Sequence, residues 1–162
     1  MLQPAAIDGL AFARNAAVLE GRLDLDTMPR LAQSGCSGAS LDFVLAGEIS
    51  QRGKPALGLT VDGIVRLECQ RCLESLEFPL HLAVQLELTT SEAEIAATDG
   101  EDDIDRVLAG AEMNVAALLE DEVLLALPMV PKHAHCKAVA GLEGSARPSA
   151  FEGLALLKKL KT

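Results

Sequence analysis

The amino-acid sequence predicts an α+β domain: an antiparallel β-sheet of about four strands packed against one buried helix, with a short C-terminal helix. Three observations carry that class. Apolar residues recur with period two through four separate runs between residues 17 and 88. One apolar run of helical length follows at 115–127, opened by Asn114 and closed by Pro128. The 162 residues, 49% of them hydrophobic, suffice for one core and are too few for two. The chain therefore reads as a single domain over residues 1–162.

Residues 1–14 are Ala-rich, carry Pro4 and Gly9, and support no firm element. From Ala17 to Asp26 the pattern alternates: Leu19, Leu23 and Leu25 on one face, Glu20, Arg22, Asp24 and Asp26 on the other. Thr27 is placed to cap a short helical turn through Gln33, with Pro29 tolerated near its start. A Gly/Ser loop holds Cys36, to which no role is assigned.

Leu41, Phe43, Leu45 and Ile49 define the inner face of a second strand, and Gly53-Lys54-Pro55 a turn. The third run is cleaner, with Leu57, Leu59, Val61, Val65, Leu67 and Cys69 in phase. Gly63 falls on that inner face, where it signals a bulge or a close backbone approach. Phe78 to Leu88 alternate in a fourth strand, with His81 facing solvent. About eight residues separate the third and fourth strands, so a hairpin with a wide loop is the economical arrangement.

Seven acids and no base fall between Glu92 and Asp105, which predicts a mobile, solvated loop at about 91–106. The Asp-x-Asp-x-Asp-Gly spacing of a calcium loop is absent from it. In the 115–127 helix the only polar residues are Glu120, Asp121 and Glu122, read as a solvated stripe rather than as acid/base groups. Pro128 and Pro131 hold the next residues extended, and Phe151 to Leu160 forms the closing helix.

Charge limits the partners. The net charge is −10, and it is divided unevenly: residues 1–127 carry 8 Lys/Arg against 22 Asp/Glu, residues 128–162 carry 6 against 2. An acidic body repels phosphate, and with four Phe, no Trp and no Tyr it lacks base-stacking platforms. RNA contact, if made, falls to Arg147, Lys158, Lys159 and Lys161 in the basic segment 147–162. No run reaches membrane-span length, the N-terminus lacks a signal-peptide layout, and clustered rather than scattered Cys suit a reducing cytoplasm.

One constellation could carry chemistry. Cys69-Gln70-Arg71-Cys72 has metal-type spacing and is answered about sixty residues on by His133, His135 and Cys136. One structural Zn²⁺ would take Cys69, Cys72 and Cys136 with His133, or with His135 as the alternative fourth ligand. A thiol-redox or zinc-dependent protein using Cys69 and Cys72 is a second reading. It is weakened because the motif lies between strands rather than at a helix N-terminus, and because no general base is apparent beside the thiols. In the third reading Cys69 is an inward core residue and Cys72 an incidental turn residue. From the pattern alone, zinc and plain packing stand level. No P-loop, dinucleotide Gly motif or Ser/His/Asp arrangement appears.

Leu67-Glu68-Cys69-Gln70-Arg71-Cys72-Leu73-Glu74, the run from Glu120 through Leu127-Pro128-Met129-Val130-Pro131-Lys132-His133, and Arg147-Pro148-Ser149-Ala150-Phe151 together resemble the YceD family. These are bacterial large ribosomal RNA subunit accumulation proteins with plastid relatives, and the likeness runs from about Ala13 to the end. The resemblance implies a cytoplasmic, non-catalytic factor needed for normal accumulation of 23S ribosomal RNA. It implies contact with the pre-ribosomal large subunit, which the acidic body would make through a basic ribosomal or assembly protein. Cys69, Cys72, His133 and Cys136 match the family's Cys-bearing branch, in which a metal would be a structural aid. A structural interaction module unconnected with RNA is the remaining alternative.

Overall fold

The computed structural model describes residues 6–96 and 105–138. In chain order these form β1 (Ala6–Ile7), α1 (Gly9–Arg14), β2 (Val18–Asp24), a 3₁₀ turn (Leu25–Thr27), α2 (Pro29–Gln33), β3 (Gly38–Ile49), β4 (Pro55–Glu68) and β5 (Ser75–Thr89). They continue with α3 (Glu92–Ala96), β6 (Asp105–Leu108), β7 (Met113–Asn114) and α4 (Val115–Ala126). The expected closing helix at 151–160 lies outside the described residues.

The fold is mixed α+β, and its main sheet has five strands rather than about four, in the order β2-β3-β4-β5-β6. The first four are antiparallel neighbours, as their alternation predicts. β6 adds parallel to β5, pairing Leu86 with Asp105 and Thr89 with Leu108. Four residues are too few for a period-two signal, and β6 begins within the stretch expected to be an acidic loop. Of that stretch, 97–104 lie outside the described residues, while α3 and β6 occupy its ends.

Alternation translates into burial. Leu41, Phe43, Leu45, Leu57, Leu59, Val61, Val65 and Leu67 form the core face of β3 and β4, each 4% exposed or less. Ile49, expected inside, is the last residue of β3 and is 55% exposed. The N-terminal segment supplies the unforeseen part of that layer. Asp8 caps α1 by accepting from the Ala11 N–H at 2.9 Å, and α1 packs across β3 and β4. The approach is so close that a Cβ on Gly47 would lie 2.2 Å from the Phe12 carbonyl oxygen. Gly63 answers its expectation likewise: a Cβ there would lie 2.2 Å from the Ser40 carbonyl oxygen.

α4 corrects the reading of its acids. Its exposed line is Ala117, Asp121 and Leu125, whereas Glu120 and Glu122 are buried at 3% and 9% exposure. Glu120 is drawn inward by α2, accepting from the backbone N–H groups of Arg30 (2.6 Å) and Leu31 (2.9 Å) and from Arg30 Nε (2.9 Å). It thereby satisfies the free N–H groups at the start of a helix whose own cap position, Met28 rather than Thr27, has no polar side chain.

Candidate metal centre

Two elements meet at the β4–β5 end of the sheet. β4 runs out at Glu68, and its inward phase carries one residue further, so Cys69 is fully buried. The chain then turns tightly: the Leu73 N–H donates to the Cys69 carbonyl and the Cys69 N–H to the Glu74 carbonyl, both at 2.9 Å. Leu73 takes a left-handed φ of 60°, which turns the chain back toward β5. From the other side, the extended segment after α4 is tied in by the Gln70 N–H donating to the Pro131 carbonyl at 2.9 Å. Pro128 and Pro131 keep that segment from continuing the helix.

The result brings Cys69, Cys72, His133 and Cys136 together, with one ligating atom of each lying within 4.8 Å of all the others. Cys69 Sγ is 3.7 Å from Cys136 Sγ, and Cys72 Sγ is 3.3 Å from His133 Nδ1. A tetrahedral ion with sulfur bonds of about 2.3 Å and nitrogen bonds of about 2.0 Å requires sulfur–sulfur edges of about 3.8 Å and sulfur–nitrogen edges of about 3.5 Å, close to these two separations. His135 is exposed and is not among the four. Arg147, Lys158, Lys159 and Lys161 lie outside the described residues.

The surroundings suit an anionic sulfur cluster. Burial raises the Cys69 thiol, yet hydrogen bonds from the backbone at Cys72, His133 and Arg71 outweigh it and bring it down to about 5. The His133 N–H reaches Cys69 Sγ at 3.4 Å. Sequence reasoning missed Arg71, whose Nε donates to Cys136 Sγ at 2.9 Å and whose Nη2 donates to the His133 carbonyl at 2.7 Å. A cation between two ligand cysteines was the available signal; only the fold shows that it turns inward onto the third.

Other chemistry fits less well. His133 does place an imidazole beside a thiol, which corrects the expectation that no base stands there. Of the two thiols of the turn, Cys69 is the lowered one but is fully buried, and the more accessible Cys72 is raised. The hydrogen bond from the Glu74 backbone lowers its pKa, but burial and the neighbouring sulfurs of Cys69 and Cys136 prevail and push it up, opposite to what thiolate catalysis needs. Cys36 packs in the core, its thiol raised by burial. Among the described residues no helix is long and apolar enough to cross a membrane.

Residues 57–161 match the family model described as "Large ribosomal RNA subunit accumulation protein YceD". A curated protein of that name from Haemophilus influenzae is 35% identical over 111 residues, covering 59% of this chain and 60% of that protein. The match thus spans about three fifths of the relative's length. No solved structure matches. The family span contains all four clustered side chains.

Proposed function

This chain belongs to the YceD family, and from that membership we propose that it is a non-catalytic factor in large-subunit ribosome biogenesis. It would act in the cytoplasm to support the synthesis, processing or accumulation of 23S ribosomal RNA. The observation that carries the reading is the family match over residues 57–161. The geometry supports the reading, because the cluster joins two separate segments of the chain. Its ligand atoms come from a hairpin tip and from the segment after α4; the one thiol held low, Cys69, is fully buried, and the more accessible Cys72 is raised.

We propose further that one Zn²⁺ is held by Cys69, Cys72, His133 and Cys136. Bound there, it would supply a cross-link between the β4–β5 hairpin and residues 131–136, and no reactive position, since four protein ligands fill its shell. The acidic body would meet the pre-ribosomal large subunit through a basic ribosomal or assembly protein. Arg147, Lys158, Lys159 and Lys161 would make any direct RNA contact.

Two measurements test this. Depletion of the protein is expected to lower the ratio of 23S to 16S RNA, and an unchanged ratio refutes the ribosomal role. Elemental analysis of tag-free, chelator-free protein is expected to find about one zinc per chain, lost on Cys136→Ser. Metal-free protein with reactive thiols sinks the zinc assignment and leaves the ribosomal one intact.

A further inference from the structure

The outer face of the sheet carries a charge pattern that packing does not explain. α1 and α4 pack against the other face, so the central rows of β2–β5 stand bare among the described residues. Those rows are not a neutral solubilising surface. Glu20, Asp24, Asp42, Asp62, Glu68 and Glu77 project there, all exposed, against Arg22 and Arg66.

Register sharpens the imbalance. Arg22, Asp42, Asp62 and His81 lie side by side on four successive strands. Arg22 stands 3.6 Å from Asp42, and His81 pairs with Asp62 at the far end. At the centre, Asp42 and Asp62 face each other directly, 71% and 64% exposed. Directly opposed like charges destabilise a strand pair, and solubility alone would be better served by alternating signs. Val44 and Ile64, 39% and 46% exposed, flank this row on the same face. Asp42, Asp62, Val44, Glu20 and Thr60 line a shallow groove of about 700 Å³, with Arg22 as its one cation.

We propose that this face is a docking surface for a Lys/Arg-rich polypeptide segment, with a cationic head between Asp42 and Asp62 and its aliphatic stem along Val44 or Ile64. Six carboxylates exclude a phosphate backbone and an anionic membrane, and the same charge opposes a second copy of this chain. The inference rests on the ribosomal reading, to which it adds the surface that the basic partner would meet.

The test is a titration of full-length protein with a fluorescein-labelled 15-residue Lys/Arg/Leu peptide, followed by anisotropy at two salt concentrations. Salt-sensitive binding is expected to weaken about tenfold or more in D42K/D62K, and less in D42N/D62N, which keeps the fold if reversal does not. The control E92K/E112K makes the same change in net charge at exposed positions outside β2–β5 and is expected to bind like wild type. Equal weakening in the control overturns the proposal. So do carbodiimide cross-links from Lys158, Lys159 or Lys161 to Asp42 or Asp62 in the free chain, which would make its own C-terminal segment the occupant, or a self-associated chain masking the face. The two readings fail separately. If depletion lowers the 23S to 16S ratio and D42K/D62K restores it fully, only the surface assignment falls. If depletion leaves the ratio unchanged, the ribosomal role falls while the titration still reads the surface.

Discussion

Arg71 and Cys136, 65 residues apart, are joined by a 2.9 Å hydrogen bond from Nε to Sγ, and the same guanidinium reaches the His133 carbonyl at 2.7 Å. A Cys₃His shell around a divalent cation would carry one net negative charge, and Arg71 supplies its complement. Arg71→Gln is therefore expected to weaken zinc binding about 10- to 100-fold, read by chelator competition. Arg71→Lys keeps the charge but not the two-pronged geometry and should fall between. Equal affinity in all three proteins would assign Arg71 to packing alone.

Zinc should also be a stabiliser. An ion that binds only the folded chain adds about 2.7 kcal/mol when its free concentration is 100 times its Kd. Thermal melts of chelated and zinc-loaded protein should differ accordingly, and Cys72→Ser should abolish the difference. A melt indifferent to zinc would show that hydrogen bonds alone hold the two segments together.

The Glu120–Arg30 contact stabilises α2 against α4. Glu120→Ala leaves two backbone donors at the α2 N-terminus unmet and should cost about 2 kcal/mol in urea unfolding. Burial raises the Glu120 carboxyl, but the Leu31 N–H, the Arg30 guanidinium and the Arg30 N–H overcome that and lower it. Its contribution is thus complete above the unfolded carboxylate value and is lost as pH falls through the lowered folded value. The alanine variant should show a flatter acid limb.

Glu122 has the opposite sign. Burial first, then the charges of Asp105 and Asp121, push its carboxyl up. Its contribution is complete below the unfolded value and declines as pH rises through the raised folded value. Glu122→Gln should therefore gain on the order of 0.5–1 kcal/mol at neutral pH, with the gain vanishing in acid. A loss at neutral pH would refute this assignment.

Gly47→Ala tests the docking of α1. The added methyl would meet the Phe12 backbone rather than a side chain able to swing away, so a cost on the order of 2–3 kcal/mol is expected. An unchanged midpoint in denaturant would mean that α1 yields freely.

How much of this was legible in the sequence depends on the range of the interaction concerned. Strand alternation named the core side chains of β3 and β4 because period two is a local property of the extended backbone. The spacing of Cys69 and Cys72, with His133 and Cys136 further on, was legible as a ligand pattern for the same reason, and the family motifs are contiguous runs. By itself the sequence thus determined the α+β class, the β4–β5 hairpin with thiols at its tip, Asn114 as the cap of α4, and family membership.

Tertiary structure decided the rest. The sequence put His133 first and left His135 as the alternative; the fold brings His133 to the cluster and leaves His135 exposed, with the Gln70–Pro131 hydrogen bond fixing where the extended segment touches the turn. Only the fold buried Glu120, since the donors that draw it in belong to a helix 90 residues earlier. β6 became a strand because β5 offered it an open edge, which no pattern in four residues can announce. Likewise Asp42 and Asp62 are ordinary outward residues until register sets them face to face. In each case the deciding energy is a contact between segments distant in the chain, and such a contact has no local signature.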